Sequence, residues 1–170
     1  MRYDQANLIH RWMRRLAGTA PMSFIYARTL HHLDRLVFRL TRHRHTFANW
    51  VSGLPVVMLT TTGARTGQPR TLPMLGVPDS GRIVVIASNF GQRHHPSWYY
   101  NLRAHAAATV GVDSVTQQVR AHEATGEERE RLWRLGLEIY PAWSAYERRA
   151  ANRRIPVVVL TPVRDPAPDP

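Results

Sequence analysis

The sequence predicts an α+β fold: a mostly antiparallel sheet of six strands, or a small barrel made from it, with flanking helices and a helical N-terminal extension. Three observations predict it. Short apolar, β-branched runs dominate from Val56 onward, as strands require. Two intervals between those runs, Pro78-Asp79-Ser80-Gly81 and Asp113-Ser114, read as hairpin turns. Long helices do not alternate with the strands, which argues against a doubly wound parallel sheet.

Before Val56 the period is helical. Leu8, Ile9, Trp12, Met13 and Leu16 share one face of a helix over 5–16, and Gly18 and Pro21 end it. A second helix over roughly 30–41 sets Leu33, Leu36, Val37 and Leu40 against Arg35 and Arg39. His43 and His45 follow in a basic turn; with no carboxylate or third ligand nearby, solvation explains them better than a metal. The strands are then 56–62, 71–77, 82–88, 107–112, 115–124 and 155–160. One helix starts near Pro96 and runs through Arg103, and another opens on the capping box Thr125-Gly126-Glu127-Glu128 and reaches about Tyr140. Leu132, Leu135 and Ile139 should face the sheet; Trp133, Leu137 and Tyr140 form a second stripe that core packing or a pocket wall would explain. The expected organisation is a basic extension over 1–50, a cofactor-binding barrel over 51–163 and a disordered, Pro-rich tail over 164–170.

Composition removes whole classes of chemistry. The chain has 170 residues and no cysteine, so disulfides, thiolate metal sites and cysteine nucleophiles are excluded. Its formal charge is +11, with arginine as every basic residue and no lysine. Residues 1–50 hold nine arginines against Asp4 and Asp34. Such a stretch suits a solvated face, an anionic membrane surface or, less well, nucleic acid, and neither of the two functional stretches described below has the aromatic interleaving that nucleic-acid binding favours. No run is long and apolar enough for a membrane span, and Arg11, Arg14 and Arg15 interrupt any signal-peptide core, so a cytoplasmic protein, at most peripheral to the membrane, is expected. Dinucleotide, phosphate-loop, nucleophile-elbow and H-E-x-x-H motifs are absent from the sequence. An enzyme with this sequence would need a bound cofactor for difficult chemistry.

Two stretches carry the functional signal. In Leu59-Thr60-Thr61-Thr62-Gly63-Ala64-Arg65-Thr66-Gly67-Gln68-Pro69-Arg70, two glycines can turn backbone N–H groups toward an anion, and Arg65 and Arg70 add forked donors. In Ala87-Ser88-Asn89-Phe90-Gly91-Gln92-Arg93-His94-His95-Pro96-Ser97-Trp98, a strand runs into a Gly-containing loop and an aromatic helix start. A helix N-terminus presents free N–H groups, Ser88 and Asn89 can bond the edge of a heterocycle, and Trp98 can wall it.

Together with Ala124-Thr125…Glu127-Glu128-Arg129, Tyr140-Pro141 and Ile155-Pro156-Val157-Val158, these stretches resemble the deazaflavin (F420)-dependent nitroreductase family. Five linked motifs, in the family's order and at closely similar spacing, cover roughly residues 50–163. The resemblance implies an FMN-binding-like split β-barrel that holds coenzyme F420. It assigns Arg65, Thr66 and Arg70 to the anionic tail, and Thr71, Leu72, Pro73 and Met74 to the ring. Ala87, Ser88 and Asn89 would meet the deazaflavin, with Trp98, Tyr99 and Asn101 completing the cofactor wall. Phe90, Trp133, Tyr140 and Trp143 are the candidate substrate pocket, and Ser88, Tyr140 and Tyr146 the candidate catalytic groups. Three positions depart from the family pattern: Ala64 where a basic residue is common, Phe90 where glycine is usual, and Trp143 where the nitroreductase prototype has a tyrosine.

The implied activity is that of an F420H2-dependent reductase, passing a hydride to an electron-poor quinone, enone or nitroaromatic. An FMN-binding oxidoreductase of the same fold, and a cofactor carrier with little turnover, are the alternatives. The expected partner is a small-molecule acceptor, with a membrane surface or a second copy of the chain as further candidates and no nucleic acid.

Overall fold

The computed structural model describes residues 55–112, 115–150 and 152–163. The helices expected over 5–16 and 30–41, His43, His45, the Asp113-Ser114 turn and the tail lie outside the described residues. Seven strands form one antiparallel sheet: β1 (Val56–Thr62), β2 (Pro69–Leu75), β3 (Val77–Asp79), β4 (Arg82–Ile86), β5 (Ala107–Val112), β6 (Val115–Glu123) and β7 (Val157–Pro162). They lie in the order β2-β1-β5-β6-β7-β4-β3. The described helices of eight or more residues are α1 (Ser97–Ala104), α2 (Gly126–Ile139) and α3 (Ala142–Arg149).

The sheet curls so that one face encloses a barrel-like interior while the other carries α2 and α3. Strand β7 shows why. Val157 and Val159 enter the layer shared with Leu132, Trp133 and Trp143, whereas Val158 and Leu160 enter the interior with Leu59, Val110 and Trp98. A strand buried on both faces loses the polar alternation of a half-exposed strand, hence the unbroken Val-Val-Val-Leu run. Side chains on β4 divide the same way, Val84 and Ile86 to one side and Val85 to the other. Leu132 and Leu59 are each 0% exposed and anchor the two layers; truncating either would cost about 2–5 kcal/mol.

Three local expectations are corrected. The run expected as a single strand over 71–77 is two strands divided at Gly76, which makes seven strands rather than six. A Cβ at Gly76 would stand 2.6 Å from Val57 Cγ1 and 3.0 Å from Ile83 Cγ2, so the chain bends where only glycine lets the layers meet. The capping box before α2 does not close: Thr125 makes no side-chain cap bond. Its partner Glu128 is drawn outward instead, to Arg82 at 3.2 Å and His122 at 3.2 Å. Finally, residues 142–149, read only as part of a motif, form helix α3.

Asp79, at the end of β3, holds the small β3–β4 hairpin to α2. Its carboxylate is only 5% exposed and accepts from Arg82 at 2.6 Å and from Arg131 at 2.7 and 3.0 Å. The bonds from Arg131 and then Arg82 outweigh the cost of burial and hold its pKa down at about 2.

Candidate cofactor site

The turn between β1 and β2 is self-braced. Gly63 N–H donates to Gln68 O at 2.9 Å, Gly67 N–H to Gly63 O at 2.8 Å, and Thr66 N–H to Gly63 O at 3.2 Å. Gln68 N–H reaches Thr66 Oγ1 at 3.4 Å. The expectation that this turn offers its backbone N–H groups to an anion is therefore corrected: most already have partners inside the turn. Gly63 has a packing role as well, since a Cβ there would come within 2.8 Å of Thr66 Oγ1. Positive charge comes from side chains. Arg65 and Arg70 are exposed, and neither pairs with a carboxylate among the described residues.

Asn101 joins this turn to the second stretch. Its Oδ1 accepts from Ala64 N–H at 3.0 Å, and its Nδ2 donates to Thr61 Oγ1 at 3.0 Å. Asn101 is buried on α1, the helix that follows the Ala87–Pro96 loop, so one amide side chain locks the β1–β2 turn to the loop's own helix. Leu72 and Met74 of β2 pack on the cluster that holds Ala87, Trp98 and Tyr99. Thr71 Oγ1 pairs with Thr60 Oγ1 across the hairpin at 2.8 Å, and Pro73 lies opposite Met58. The two sequence stretches thus form one region.

Of the expected cofactor wall, Trp98 and Tyr99 are each 5% exposed and belong to the interior. Tyr99 donates its hydroxyl to Glu123 Oε2 at 2.7 Å. Burial and that carboxylate push its pKa up to about 12, so the phenol stays protonated. Ser88 is nearly buried, and its hydroxyl has no hydrogen-bond partner among the described residues. Asn89 spends its amide nitrogen on His94 O at 3.0 Å.

The loop itself is conformationally unusual. Asn89, Phe90 and Gly91 have φ of 46, 55 and 78°, three left-handed residues in succession. Two of them are not glycine, a strained arrangement that the surroundings must hold in place. Gly91 cannot be replaced cheaply, because a Cβ would lie 2.8 Å from Tyr146 O and 2.9 Å from Arg149 Cβ on α3. Arg153, which the sequence reading passed over, supplies four hydrogen bonds to this loop. Its reach to residues 58–66 positions away leaves no local signal in an arginine-rich chain.

The expected substrate residues sit in the layer on the helical side of the sheet. Phe90 packs on it, with its ring centroid 6.0 Å from that of Tyr146. The hydroxyls of Tyr140 and Tyr146 are 3.0 Å apart and buried. Trp143 is 3% exposed, edge-on to Tyr140 at 5.4 Å and tight against Gly136, whose added Cβ would lie 3.0 Å from its ring. Trp133 is core as well, with the Arg129 guanidinium 5.5 Å from its ring centre.

The curled antiparallel half-barrel thus carries two exposed arginines without carboxylate partners among the described residues, on a braced turn, an arrangement that suits an anionic ligand. The model of the family "F420H(2)-dependent quinone reductase" matches residues 34–162, and the chain belongs to that family. It is 31% identical to the F420H(2)-dependent quinone reductase Rv1261c of Mycobacterium tuberculosis, over 90% of this chain and 97% of that protein. Among solved structures, it is similar to an F420-H2 dependent reductase, FDR-A, with a TM-score of 0.58 and 37% identity over 62% of this chain and 93% of that one. A domain-swapped dimer matches with a TM-score of 0.61 and 31% identity, over 83% of this chain and 99% of that one. The protein is accordingly an F420H2-dependent oxidoreductase with a split-barrel-like fold.

Proposed function

We propose that this chain reduces a quinone with F420H2, the coenzyme's anionic tail lying against Arg65, Thr66 and Arg70 and its ring against Thr71–Met74 and the Ala87–Asn89 loop. The observation that carries this reading is the pair of exposed arginines, without carboxylate partners among the described residues, on a turn that Asn101 ties to α1. Guanidinium forks on a rigid backbone suit phosphate and carboxylate groups. When bound, the reduced deazaflavin supplies the hydride. The protein's part is to hold the acceptor close, exclude water and offer a proton as negative charge develops on the acceptor oxygen.

Ser88, with its hydroxyl uncommitted among the described residues, is one candidate proton source on the Ala87–Asn89 loop. The hydrogen-bonded Tyr140–Tyr146 pair, coupled to that loop through Phe90, is the deeper one. Phe90, flanked by α3, shapes the acceptor side. The family name favours a quinone over an enone or nitroaromatic, and the basic stretch 1–50 would suit approach to an anionic membrane carrying one. A second copy of the chain as partner draws support from the domain-swapped dimer among similar structures.

Turnover tests the reading. F420H2 reoxidation should be fast with menadione and protein present, and slow when either is omitted. F420 binding without menadione reduction would make the chain a cofactor carrier instead.

A further inference from the structure

We infer that Arg153 is a positioning residue that holds the left-handed Asn89-Phe90-Gly91 turn, and through it the ring-facing backbone from Ala87 to Asn89. The inference rests on the proposed ring site at that loop. Arg153 lies on the segment between α3 and β7, outside both stretches that the sequence singled out.

Its guanidinium is aimed at carbonyl oxygens. Nη2 donates to Ser88 O at 2.7 Å, Nε to Gln92 O at 2.9 Å and Nη1 to Ala87 O at 3.2 Å. Nη1 also reaches His95 Nδ1 at 3.0 Å. A left-handed turn throws successive carbonyls out of any strand or helix ladder, and such groups need donors when half-buried. One planar fork answers Ala87 O and Gln92 O, which flank that turn, and gives Ser88 O a second donor beside Gly91 N–H, which an ammonium on a flexible stem cannot match. The bracketed backbone is also the strained part. Ser88 is right-handed with φ −68°, and the three following residues are left-handed. Removing the fork would let Asn89 and Phe90 relax toward negative φ, moving Ser88 and the loop backbone away from the ring.

His95 closes the arrangement. Because the guanidinium can only donate, Nδ1 of His95 must accept, which fixes the neutral tautomer carrying its proton on Nε2. Its ring packs on Tyr99 at 4.8 Å and on Tyr100 at 5.9 Å. Arg153, Arg103 and His94 face it as positive or potentially positive groups, with Glu123 the opposing carboxylate. Burial first and Arg153 second keep its pKa below the ordinary histidine value. The Arg153–His95 bond is therefore intact at neutral pH and is lost as pH falls through that depressed pKa.

The test combines a measurement on cofactor-free protein with one on binding. Hydrogen exchange should show the Gly91 and Gln92 amides, bonded to Ser88 O and Asn89 O, opening at least tenfold faster in Arg153→Gln than in wild type. Amides of the paired β5 and β6 strands should be unchanged, which separates loop release from general unfolding. F420 should bind Arg153→Gln at least tenfold more weakly, with Arg153→Lys only partly restored. In His95→Gln the acid limb of the wild-type affinity profile should flatten. Wild-type exchange at Gly91 and Gln92 in Arg153→Gln would overturn the inference, as would a loosened loop that binds F420 with wild-type affinity. If wild-type protein itself failed to bind F420, the ring-site reading would fall instead, and the exchange result would stand apart from it.

Discussion

Replacing Arg65 and Arg70 together with alanine should weaken F420 binding by about two orders of magnitude while leaving the fold intact. Each guanidinium would lose a charge-assisted hydrogen bond, worth about 1.5–3 kcal/mol. Both side chains are exposed, so solvent screening favours the lower end, about 1.5 kcal/mol each or ~3 kcal/mol for the pair. The brace of the turn is backbone to backbone and through Asn101, none of it through these side chains, so thermal stability should hardly change. Salt gives an internal control. Raising ionic strength should weaken the wild type more than the double variant, because the variant has already lost the screened attraction. Isothermal titration at two salt concentrations checks both parts. Wild-type affinity in the double variant would place the tail elsewhere.

Asp79→Asn should destabilise the protein by about 2 kcal/mol at pH 7. The carboxylate is buried between Arg82 and Arg131, and the neutral amide keeps the shape while losing both charge-assisted partners. The pH dependence has a definite sign. The folded-state pKa, at about 2, lies below the ordinary carboxylate value. The stabilisation from Asp79 is thus fully present above about pH 5 and is lost as pH falls toward 2. Urea unfolding at pH 7 and pH 3 should show wild type and variant far apart at the first pH and closer at the second. A constant gap would mean that the ion pairs contribute nothing beyond packing.

The strands were legible because their residues see mostly one kind of environment. Strand β1, at Val56–Thr62, lies where its apolar, β-branched run places it, and the buried run of β7 announces itself by composition. Where the sequence misled, a distant partner decided. Glu128 carries the right spacing for a capping box, but Arg82 and His122 attract it more strongly than the helix end does. Gly76 looks like an ordinary strand residue until Val57 and Ile83 press on it from other strands. Helix α3 was hidden because Tyr140-Pro141 reads as a break, while its Trp143 and Tyr146 read as site residues rather than a buried face.

The candidate site divides in the same way. Arg65 and Arg70 follow from a local motif and stand where that motif puts them, exposed on a tight turn. The motif did not reveal that most of the turn's amides are bonded within it, leaving the arginine side chains as its open donors. Nor did it reveal that Asn101, expected to wall the cofactor, spends its amide on Ala64 and Thr61. Trp133 and Trp143 share their sequence pattern with pocket-lining residues and pack between helices and sheet. Arg153 escaped notice because its role depends on carbonyls brought to it by the fold.

The most direct test of the account is a paired equilibrium titration of the purified full chain with F420 and with FMN, followed by cofactor fluorescence. Micromolar or tighter binding of F420, at least tenfold stronger than that of FMN, is the predicted result. Preference for FMN, or no saturable binding of F420, would contradict it.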